Sequence, residues 1–201
     1  MKQGLVYIFT GEGKGKTSAA LGVATRSLLN GEKVVWIAFY KQDSWGLSEA
    51  KLKEKFTSLE MIFVGKGFRI VNSEQKISTV DGKEIKLATV GESNKVIDTA
   101  SEQEHIAAAK EGLEIVRQKI LGKPFLLVMD EVLNAVSEGL LTEKDVMKVV
   151  EQRGEINVVM TGRSENDSVK TLLSKADLVT ECLKIKHPYD NGQLAVKGLD
   201  F

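Results

Sequence analysis

The chain has 201 residues, of which 42% are hydrophobic and 28% are charged. This balance is that of an ordinary globular protein, so it excludes an intrinsically disordered chain and a collagen-like repeat. The 28 basic residues equal the 28 acidic residues in number, which argues against a protein that mainly coats nucleic acid or an anionic membrane. The single cysteine, Cys182, excludes a disulfide scaffold. We therefore expect one domain over residues 1–201, with neither nucleic acid nor a membrane as a partner.

Predicted strands and helices alternate along the chain. Residues 5–9 form an apolar run that ends in a cluster of glycines, and residues 18–29 follow with apolar side chains at helical spacing. The later predicted strands are 34–40, 61–64, 125–129, 156–160 and 178–182, and the later predicted helices are 48–56, 101–121, 142–151 and 167–174. Ser101 and Glu104 have the spacing of a capping box. Apolar strands separated by helices predict an α/β fold, with a mostly parallel sheet and helices on both faces.

One segment departs from this alternation. Residues 77–90 contain two strand-like pieces on either side of Asp81-Gly82, a dipeptide that favours a two-residue hairpin turn. With these two residues at the turn, Val80, Ile85 and Leu87 would share one face. The pattern predicts a β-hairpin inserted at about 76–91, between the third strand and the longest helix.

The first apolar run also bears on the location of the protein. Residues 5–9 are too few to cross a membrane, and no small-residue cleavage site follows them. We therefore expect a cytoplasmic protein.

Residues 10–18 read Thr-Gly-Glu-Gly-Lys-Gly-Lys-Thr-Ser and lie at a predicted junction of strand and helix. The glycines allow backbone N–H groups to converge on phosphate oxygens. Lys16 can reach the outer phosphates, and the hydroxyl of Thr17 can bind Mg²⁺. The helix that begins here directs its positive N-terminal end at the same phosphates. Thr10 stands where a consensus phosphate loop has its first glycine, and the alternative is a glycine-rich turn that carries lysines by chance.

An acidic pair follows another apolar run. Asp130 and Glu131 come directly after residues 126–129, where a carboxylate can hold Mg²⁺ directly or through water. By themselves these residues could equally be two solvated acids at the end of a strand. Together with the phosphate loop they predict a site for Mg²⁺ and a nucleoside triphosphate, without indicating what is done with the nucleotide.

Several different short motifs follow one another along the chain in a characteristic order. Residues 10–18 are close to T-G-[ND]-G-K-G-K-T-[TS], including the absent first glycine, and further motifs lie at Arg26 and at 39–41, 65–68, 130–131, 161–163, 176–181, 186–192 and 198–201. This order resembles the ATP:corrinoid adenosyltransferases of the CobA/CobO/BtuR type, over nearly the whole chain apart from the hairpin. The resemblance implies a P-loop NTPase-like, or RecA-like, fold.

The resemblance implies transfer of the 5′-deoxyadenosyl group of ATP to the Co(I) of a reduced corrinoid, with release of triphosphate. It also implies Mg²⁺ or Mn²⁺ as cofactor, an electron donor such as a flavoprotein, and a homodimer. Lys16, Thr17 and Glu131 would be catalytic, and Thr17, Asp130 and Glu131 would hold the metal. The residues implied to bind nucleotide or corrinoid are Gly11, Glu12, Gly13, Lys14, Gly15, Lys16, Thr17, Ser18, Arg26 and Phe68.

Two motifs depart from the family pattern. The family has G-F-x-W against the lower face of the corrinoid, but here Ile70 replaces the tryptophan while Phe68 is kept. The D-E-x-N-Y run is altered at 130–134 to Asp-Glu-Val-Leu-Asn. Two alternatives therefore stay open: a P-loop ATPase or kinase, and an ATP-binding sensor that has lost corrinoid chemistry. A kinase should carry an arginine-rich lid, whereas Arg153 and Arg163 are isolated.

Overall fold

The computed structural model describes residues 3–66, 69–72, 79–80, 83–84, 86–90, 94–98, 100–164, 167–193 and 195–200. The strands are β1 Val6–Thr10, β2 Val34–Ala38, β3 Leu59–Phe63, β4 Arg69–Asn72, β5 Thr79–Val80, β6 Lys83–Glu84, β7 Lys86–Val90, β8 Asn94–Asp98, β9 Leu126–Asp130, β10 Asn157–Thr161 and β11 Leu178–Glu181. The helices are α1 Lys16–Leu29, α2 Leu52–Lys55, α3 Glu102–Leu121, α4 Val132–Ser137, α5 Glu143–Glu151 and α6 Lys170–Lys175, with single 3₁₀ turns at Asp43–Trp45, Ser48–Lys51 and Pro188–Asn191.

The main sheet has six strands in the order β11-β1-β10-β9-β2-β3, and every neighbouring pair is parallel. This confirms the predicted parallel α/β fold. One strand, β10, separates β1 from β9. Because all strands run the same way, the carboxyl ends of β1, β2 and β9 meet at one edge, which is where such sheets bind ligands.

Side chains on the two faces of the main sheet form two separate hydrophobic clusters, as the prediction of helices on both faces requires. On one face Ala20 and Ala24 of α1 pack against Trp36 and Val128. On the other face Leu113 and Val116 of α3 belong to a larger cluster with residues of α4, α5 and α6. Strands β2 and β9 are buried along their whole length. Burial on both faces explains why their sequences are continuously apolar rather than alternating.

The capping prediction at the longest helix is confirmed. Ser101 accepts a hydrogen bond from the Glu104 N–H, and the Glu104 carboxylate accepts one from the Ser101 N–H. Thr142 caps α5 in a similar way through the Asp145 N–H. Helix α4 has no counterpart among the predicted helices, because six residues directly after a strand are too few for a helical period to be read.

The inserted region contains more strands than the sequence predicts. Strands β4, β8 and β7 form an antiparallel sheet, and β5 pairs with β6 so that Val80 lies opposite Lys83. The predicted turn residues, Asp81 and Gly82, and one member of the predicted apolar face, Ile85, lie outside the residues that the structure describes, so that shared face stays a prediction. None of the helices in the described residues is long and apolar enough to cross a membrane.

Candidate phosphate-binding site

The phosphate loop connects the end of β1 to the start of α1. Gly11 has φ = 102° and Gly15 has φ = 118°, a backbone region that L side chains rarely adopt. Gly15 is the residue before the first turn of α1 and has no side chain to cap the helix. The first N–H groups of α1 therefore remain available to an anion, as the glycine spacing predicts.

The segment that follows β11 contacts the phosphate loop through backbone hydrogen bonds. The Gly13 N–H donates to the Cys182 carbonyl over 2.7 Å, and the Cys182 N–H donates to the Thr10 carbonyl over 2.7 Å. A Cβ atom at Gly13 would lie 2.6 Å from the backbone carbonyl of Leu183. Gly13 is therefore needed for this close backbone approach, and no pattern in the sequence indicated that the segment after β11 lies against the loop.

The Lys16 ammonium lies inside the phosphate loop. Nζ donates to the carbonyls of Gly11 and Gly13, each over 2.7 Å. Burial, together with the charge of Arg163, lowers the pKa of Lys16, although nearby anionic groups act in the opposite direction. An ammonium held in this way faces the space that the loop encloses, where phosphate oxygens would offer it charged partners.

Asp130 lies at the end of β9 and is completely buried. Its Oδ1 atom accepts a hydrogen bond from Thr17 Oγ1 over 3.1 Å and another from Thr161 Oγ1 over 2.7 Å. Thr17 belongs to α1 and Thr161 ends β10. Three elements thus meet at one carboxylate oxygen, and the predicted pairing of the phosphate-loop hydroxyl with an acidic strand end is present in the structure.

The second carboxylate oxygen of Asp130 faces Lys41. Lys41 Nζ lies 3.0 Å from Asp130 Oδ2 and 3.1 Å from Glu49 Oε1. Burial alone would lower the pKa of Lys41, but the charges of Asp130 and Glu49 outweigh burial and hold that pKa above its usual range. Lys41 belongs to the family-like motif at residues 39–41, but the sequence indicated no role for it. Its position just after a buried strand, at the ligand-binding edge of the sheet, was the available signal.

Glu131 lies beside Asp130 in an unusual backbone conformation. Its φ is 61°, and its N–H donates to Thr161 Oγ1 over 2.8 Å. Burial and the neighbouring Asp130 charge raise the pKa of Glu131 to about 7, although Lys41 and Lys16 act in the opposite direction. Glu131 therefore lies next to the loop lysine, with a carboxyl group that exchanges its proton near neutral pH.

A cavity of about 550 Å³ lies over the phosphate loop. Its walls are formed by the phosphate loop and α1, by the 3₁₀ turn Ser48–Lys51 with the start of α2, and by residues near the end of the chain. The lining residues are Lys14, Gly15, Lys16, Thr17, Ser18, Leu21, Thr25, Lys41, Ser48, Glu49, Leu52, Glu131, Gly198, Leu199 and Asp200. Lys14 also forms an ion pair with Asp200. The volume is in the range of small-molecule sites.

Among the described site residues that the sequence predicts, those that do not line this cavity are Gly11, Glu12, Gly13, Arg26 and Asp130. Gly11 and Gly13 accept the hydrogen bonds of Lys16, and Asp130 accepts that of Thr17, whereas Glu12 and Arg26 have no such contact with the described cavity residues. Arg26 is exposed in the last turn of α1, and its backbone carbonyl accepts a hydrogen bond from the Asn30 side chain. Glu12 is largely exposed and lies 3.5 Å from the Arg163 guanidinium. Phe68 lies outside the residues that the structure describes. The implied roles of Glu12, Arg26 and Phe68 stay predictions.

The residues present are suited to a magnesium ion. Hydroxyl and carboxylate oxygens are its preferred protein ligands, and the ion commonly also takes phosphate oxygens and waters. Thr17 Oγ1 and Asp130 Oδ1 already lie within hydrogen-bonding distance of each other. Both oxygens could therefore contact one ion in place of their mutual hydrogen bond, with Glu131 close by.

The family model described as ATP:corrinoid adenosyltransferase BtuR/CobO/CobP matches residues 2–201. The chain is 28% identical over 201 residues to the corrinoid adenosyltransferase CobA of Salmonella typhimurium LT2, covering all of this chain and 87% of that protein. It is 26% identical over 202 residues to the corrinoid adenosyltransferase of Escherichia coli K12, with the same coverage. Among solved structures, the flagellar accessory protein FlaH of Methanocaldococcus jannaschii matches with a TM-score of 0.49 and 12% identity, over 89% of this chain and 70% of that chain. The family match over nearly every residue confirms the resemblance found in the motifs, and the chain belongs to the ATP:corrinoid adenosyltransferase family.

Proposed function

We propose that this protein transfers the 5′-deoxyadenosyl group of ATP to the Co(I) of a reduced corrinoid and releases triphosphate. The observation that carries the proposal is a phosphate loop whose lysine and threonine lie beside a buried aspartate, in a chain that belongs to this family from residue 2 to residue 201. Adenosyl transfer uses such a site differently from a kinase, because the whole triphosphate leaves.

The phosphate loop supplies what this reaction needs. Co(I) is a strong nucleophile, so no side chain has to remove a proton. The enzyme must instead hold the ribose 5′ carbon towards cobalt and stabilise the negative charge on the departing triphosphate. In our proposal Lys16 moves its hydrogen bonds from the Gly11 and Gly13 carbonyls to phosphate oxygens, and the N–H groups at the start of α1 contact the same phosphates.

We further propose that Thr17, Asp130 and Glu131 hold Mg²⁺ or Mn²⁺. Such an ion would neutralise part of the triphosphate charge as that group leaves. Support comes from the oxygen atoms of Thr17 and Asp130, which lie 3.1 Å apart, with Thr17 lining the cavity and Asp130 buried behind it. The buried position of Asp130 between Thr17, Thr161 and Lys41 fixes its carboxylate without a bound ion.

The remaining parts of the proposal come from the family resemblance. Phe68 would pack against the lower face of the corrinoid, with Ile70 in the place of the family tryptophan. An electron donor such as a flavoprotein would supply Co(I). We also propose a cytoplasmic homodimer, organised as one P-loop domain with an inserted hairpin.

Incubation with ATP, Mg²⁺ and chemically reduced corrinoid tests the proposed function. We expect the absorbance of an adenosylated corrinoid and one triphosphate for each adenosyl group transferred. Release of ADP or phosphate would indicate a kinase or an ATPase, and unchanged ATP that nevertheless binds would indicate a sensor. Omission of corrinoid is the control, because adenosyl transfer then yields no triphosphate.

A further inference from the structure

The backbone at Lys41 is fixed between two neighbouring strands. The Phe39 N–H donates to the Asp130 carbonyl over 3.0 Å, and the Gly65 N–H donates to the Lys41 carbonyl over 3.2 Å. A Cβ atom at Gly65 would lie 2.3 Å from the Tyr40 carbonyl carbon, so the two segments are in direct backbone contact. The point from which the Lys41 side chain extends is therefore set by the main sheet.

The Lys41 side chain joins two buried carboxylates that belong to different parts of the site. Its own exposure is 12%, while that of Glu49 is 10% and that of Asp130 is 0%. A buried carboxylate without a cationic or hydrogen-bonding partner is strongly disfavoured. The ammonium of Lys41 forms an ion pair with one oxygen of each carboxylate, so the three groups stabilise one another.

Lys41 fixes the orientation of Asp130. With Oδ2 held by Lys41, Oδ1 is the oxygen that accepts from Thr17 and Thr161. Without the ammonium, Oδ2 would lose the cation that faces it in the buried site, and the carboxylate could rotate towards either hydroxyl. Lys41 itself is directed at the two carboxylates rather than at the phosphate loop.

Lys41 also connects Asp130 to a second part of the cavity lining, the Glu49 wall, which consists of Ser48, Glu49 and Leu52. Glu49 belongs to the 3₁₀ turn Ser48–Lys51, and the Glu49 wall lines the same cavity as Lys16 and Thr17. The Lys41–Glu49 ion pair of 3.1 Å therefore ties that wall to the end of β9. A ligand in the cavity would meet the Glu49 wall in a fixed arrangement.

We propose that Lys41 is a positioning residue for adenosyl transfer, which holds the Asp130 carboxylate beside Thr17 and the Glu49 wall of the cavity in one arrangement. The inference rests on the proposed function, because it assigns Lys41 to the same reaction. It gives Lys41 no contact with the reacting atoms. Partners of this kind, which orient a ligand-binding group, typically change metal affinity or activity by about 10–100-fold when removed.

Lys41→Met keeps the length of the side chain and removes its charge. We expect kcat for adenosyl transfer to fall by about 10-fold or more, and the KM for ATP to rise only as far as it does in Glu49→Gln, because both variants break the Lys41–Glu49 pair. Lys41→Arg can still bridge two carboxylates and should recover part of the loss. Glu49→Gln keeps the Lys41–Asp130 pair and loosens the wall, so it should mainly raise the KM for ATP. Equal kinetics of Lys41→Met and the parent would overturn the proposal.

ATP binding without corrinoid provides a readout that does not depend on turnover. Calorimetric titration of ATP with Mg²⁺ and with excess chelator gives the tightening that the metal produces. We expect Lys41→Met to reduce that tightening by about 5-fold or more, whereas an unchanged value would contradict the proposal. If the parent protein binds ATP with Mg²⁺ but releases no triphosphate, the proposed function is wrong. The titration still shows in that case whether Lys41 affects metal binding.

Three further variants distinguish the proposed role of Lys41 from a simple loss of folding. Lys53→Met is the matched control, because Lys53 forms an exposed 3.7 Å ion pair with Asp43, so we expect parental kinetics. Asp130→Asn and the double variant Asp130→Asn/Lys41→Met remove the buried charge and the pair, respectively. If Lys41 acts through Asp130, the double variant should have the same kcat and the same metal-dependent tightening as Asp130→Asn alone. A further loss of either quantity in the double variant would overturn the proposal, even if Lys41→Met by itself does not fold.

Discussion

Lys16 already has two hydrogen-bond acceptors within its own loop, the carbonyls of Gly11 and Gly13. Lys16→Ala removes the ammonium and with it a charge-assisted phosphate contact worth about 1.5–3 kcal/mol. We expect turnover to fall more than ATP affinity, because the negative charge on the leaving triphosphate increases in the transition state.

ATP titration and single-turnover kinetics on both proteins measure this difference. Lys110→Ala is the matched control, because Lys110 is an exposed lysine in the middle of α3. Unchanged affinity and turnover in Lys16→Ala would remove Lys16 from the site.

The metal prediction concerns Thr17, Asp130 and Glu131. Activity should require Mg²⁺ or Mn²⁺, and Asp130→Asn or Glu131→Gln should abolish turnover or weaken its dependence on the metal, because each change removes a carboxylate charge near the ion. The measurement is triphosphate release against metal concentration. Full activity in excess chelator would show that the reaction does not use a divalent ion.

The raised pKa of Glu131 predicts a pH dependence of folding stability. The carboxyl group ionises near pH 4.5 in its reference state but near pH 7 in the folded protein. Between these values the folded state binds a proton that the unfolded state has released, so stability decreases as the pH rises through this window. Glu131→Gln cannot ionise, so its melting temperature should exceed that of the parent at pH 8 by a larger margin than at pH 5.

Thermal melting without nucleotide or metal measures this effect. Glu111→Gln is the matched control, because Glu111 is an exposed carboxylate in the middle of α3. If the margin between Glu131→Gln and the parent is the same at both pH values, the group does not titrate as described.

At the scale of elements, the phosphate loop depends on the segment that follows β11. Gly13 lies so close to the Leu183 carbonyl that a methyl group would overlap it. Gly13→Ala should therefore separate the loop from this segment, break the Gly13–Cys182 hydrogen bond and weaken ATP binding. Gly22→Ala is the matched control in α1, where a Cβ atom would meet nothing within 4 Å.

Chemical denaturation and ATP titration of the two alanine variants test this argument. Gly22→Ala should stabilise the protein by about 0.5–1 kcal/mol, because alanine favours a helix and restricts the unfolded chain. Gly13→Ala should be destabilised. If Gly13→Ala retains parental stability and ATP affinity, the close approach of the two segments is not required.

At the scale of the whole molecule, two alternatives are open for the inserted hairpin: it closes the corrinoid site, or it is a surface decoration without a part in the reaction. Deleting residues 77–90 would remove β7 as well as the hairpin, and β7 pairs with β8. Replacing residues 79–84 with two glycines removes the β5–β6 hairpin and keeps β7. If the hairpin closes the corrinoid site, ATP affinity should stay parental while the KM for corrinoid rises.

Ile70→Trp added to this shortened protein supplies the flat aromatic surface that the family places against the corrinoid. It should recover part of the lost corrinoid affinity. A shortened protein that folds and turns over corrinoid at the parental rate would show that the hairpin has no part in the reaction.

Local patterns were sufficient to predict the class of fold and the phosphate loop. Continuous apolar runs indicated strands buried on both faces, and the spacing of glycines before Lys16 indicated a loop at the start of a helix. The Ser101–Glu104 cap was also readable, because a cap joins residues three apart. These features depend on interactions between residues that are close in the chain, so they can be predicted from the sequence without the tertiary structure.

The arrangement around Asp130 was decided by the tertiary structure alone. Lys41, Glu49 and Thr161 lie far from Asp130 in the chain, and their contacts depend on β10 and β2 flanking β9 in the main sheet. The support of the phosphate loop by Cys182 depends in the same way on β11 pairing with β1. Strand order follows from how whole helices and strands pack, and no local pattern specifies it. The sequence therefore determined that a phosphate loop and an acidic strand end exist, whereas packing of the complete sheet decided which lysine and which hydroxyls meet the buried carboxylate.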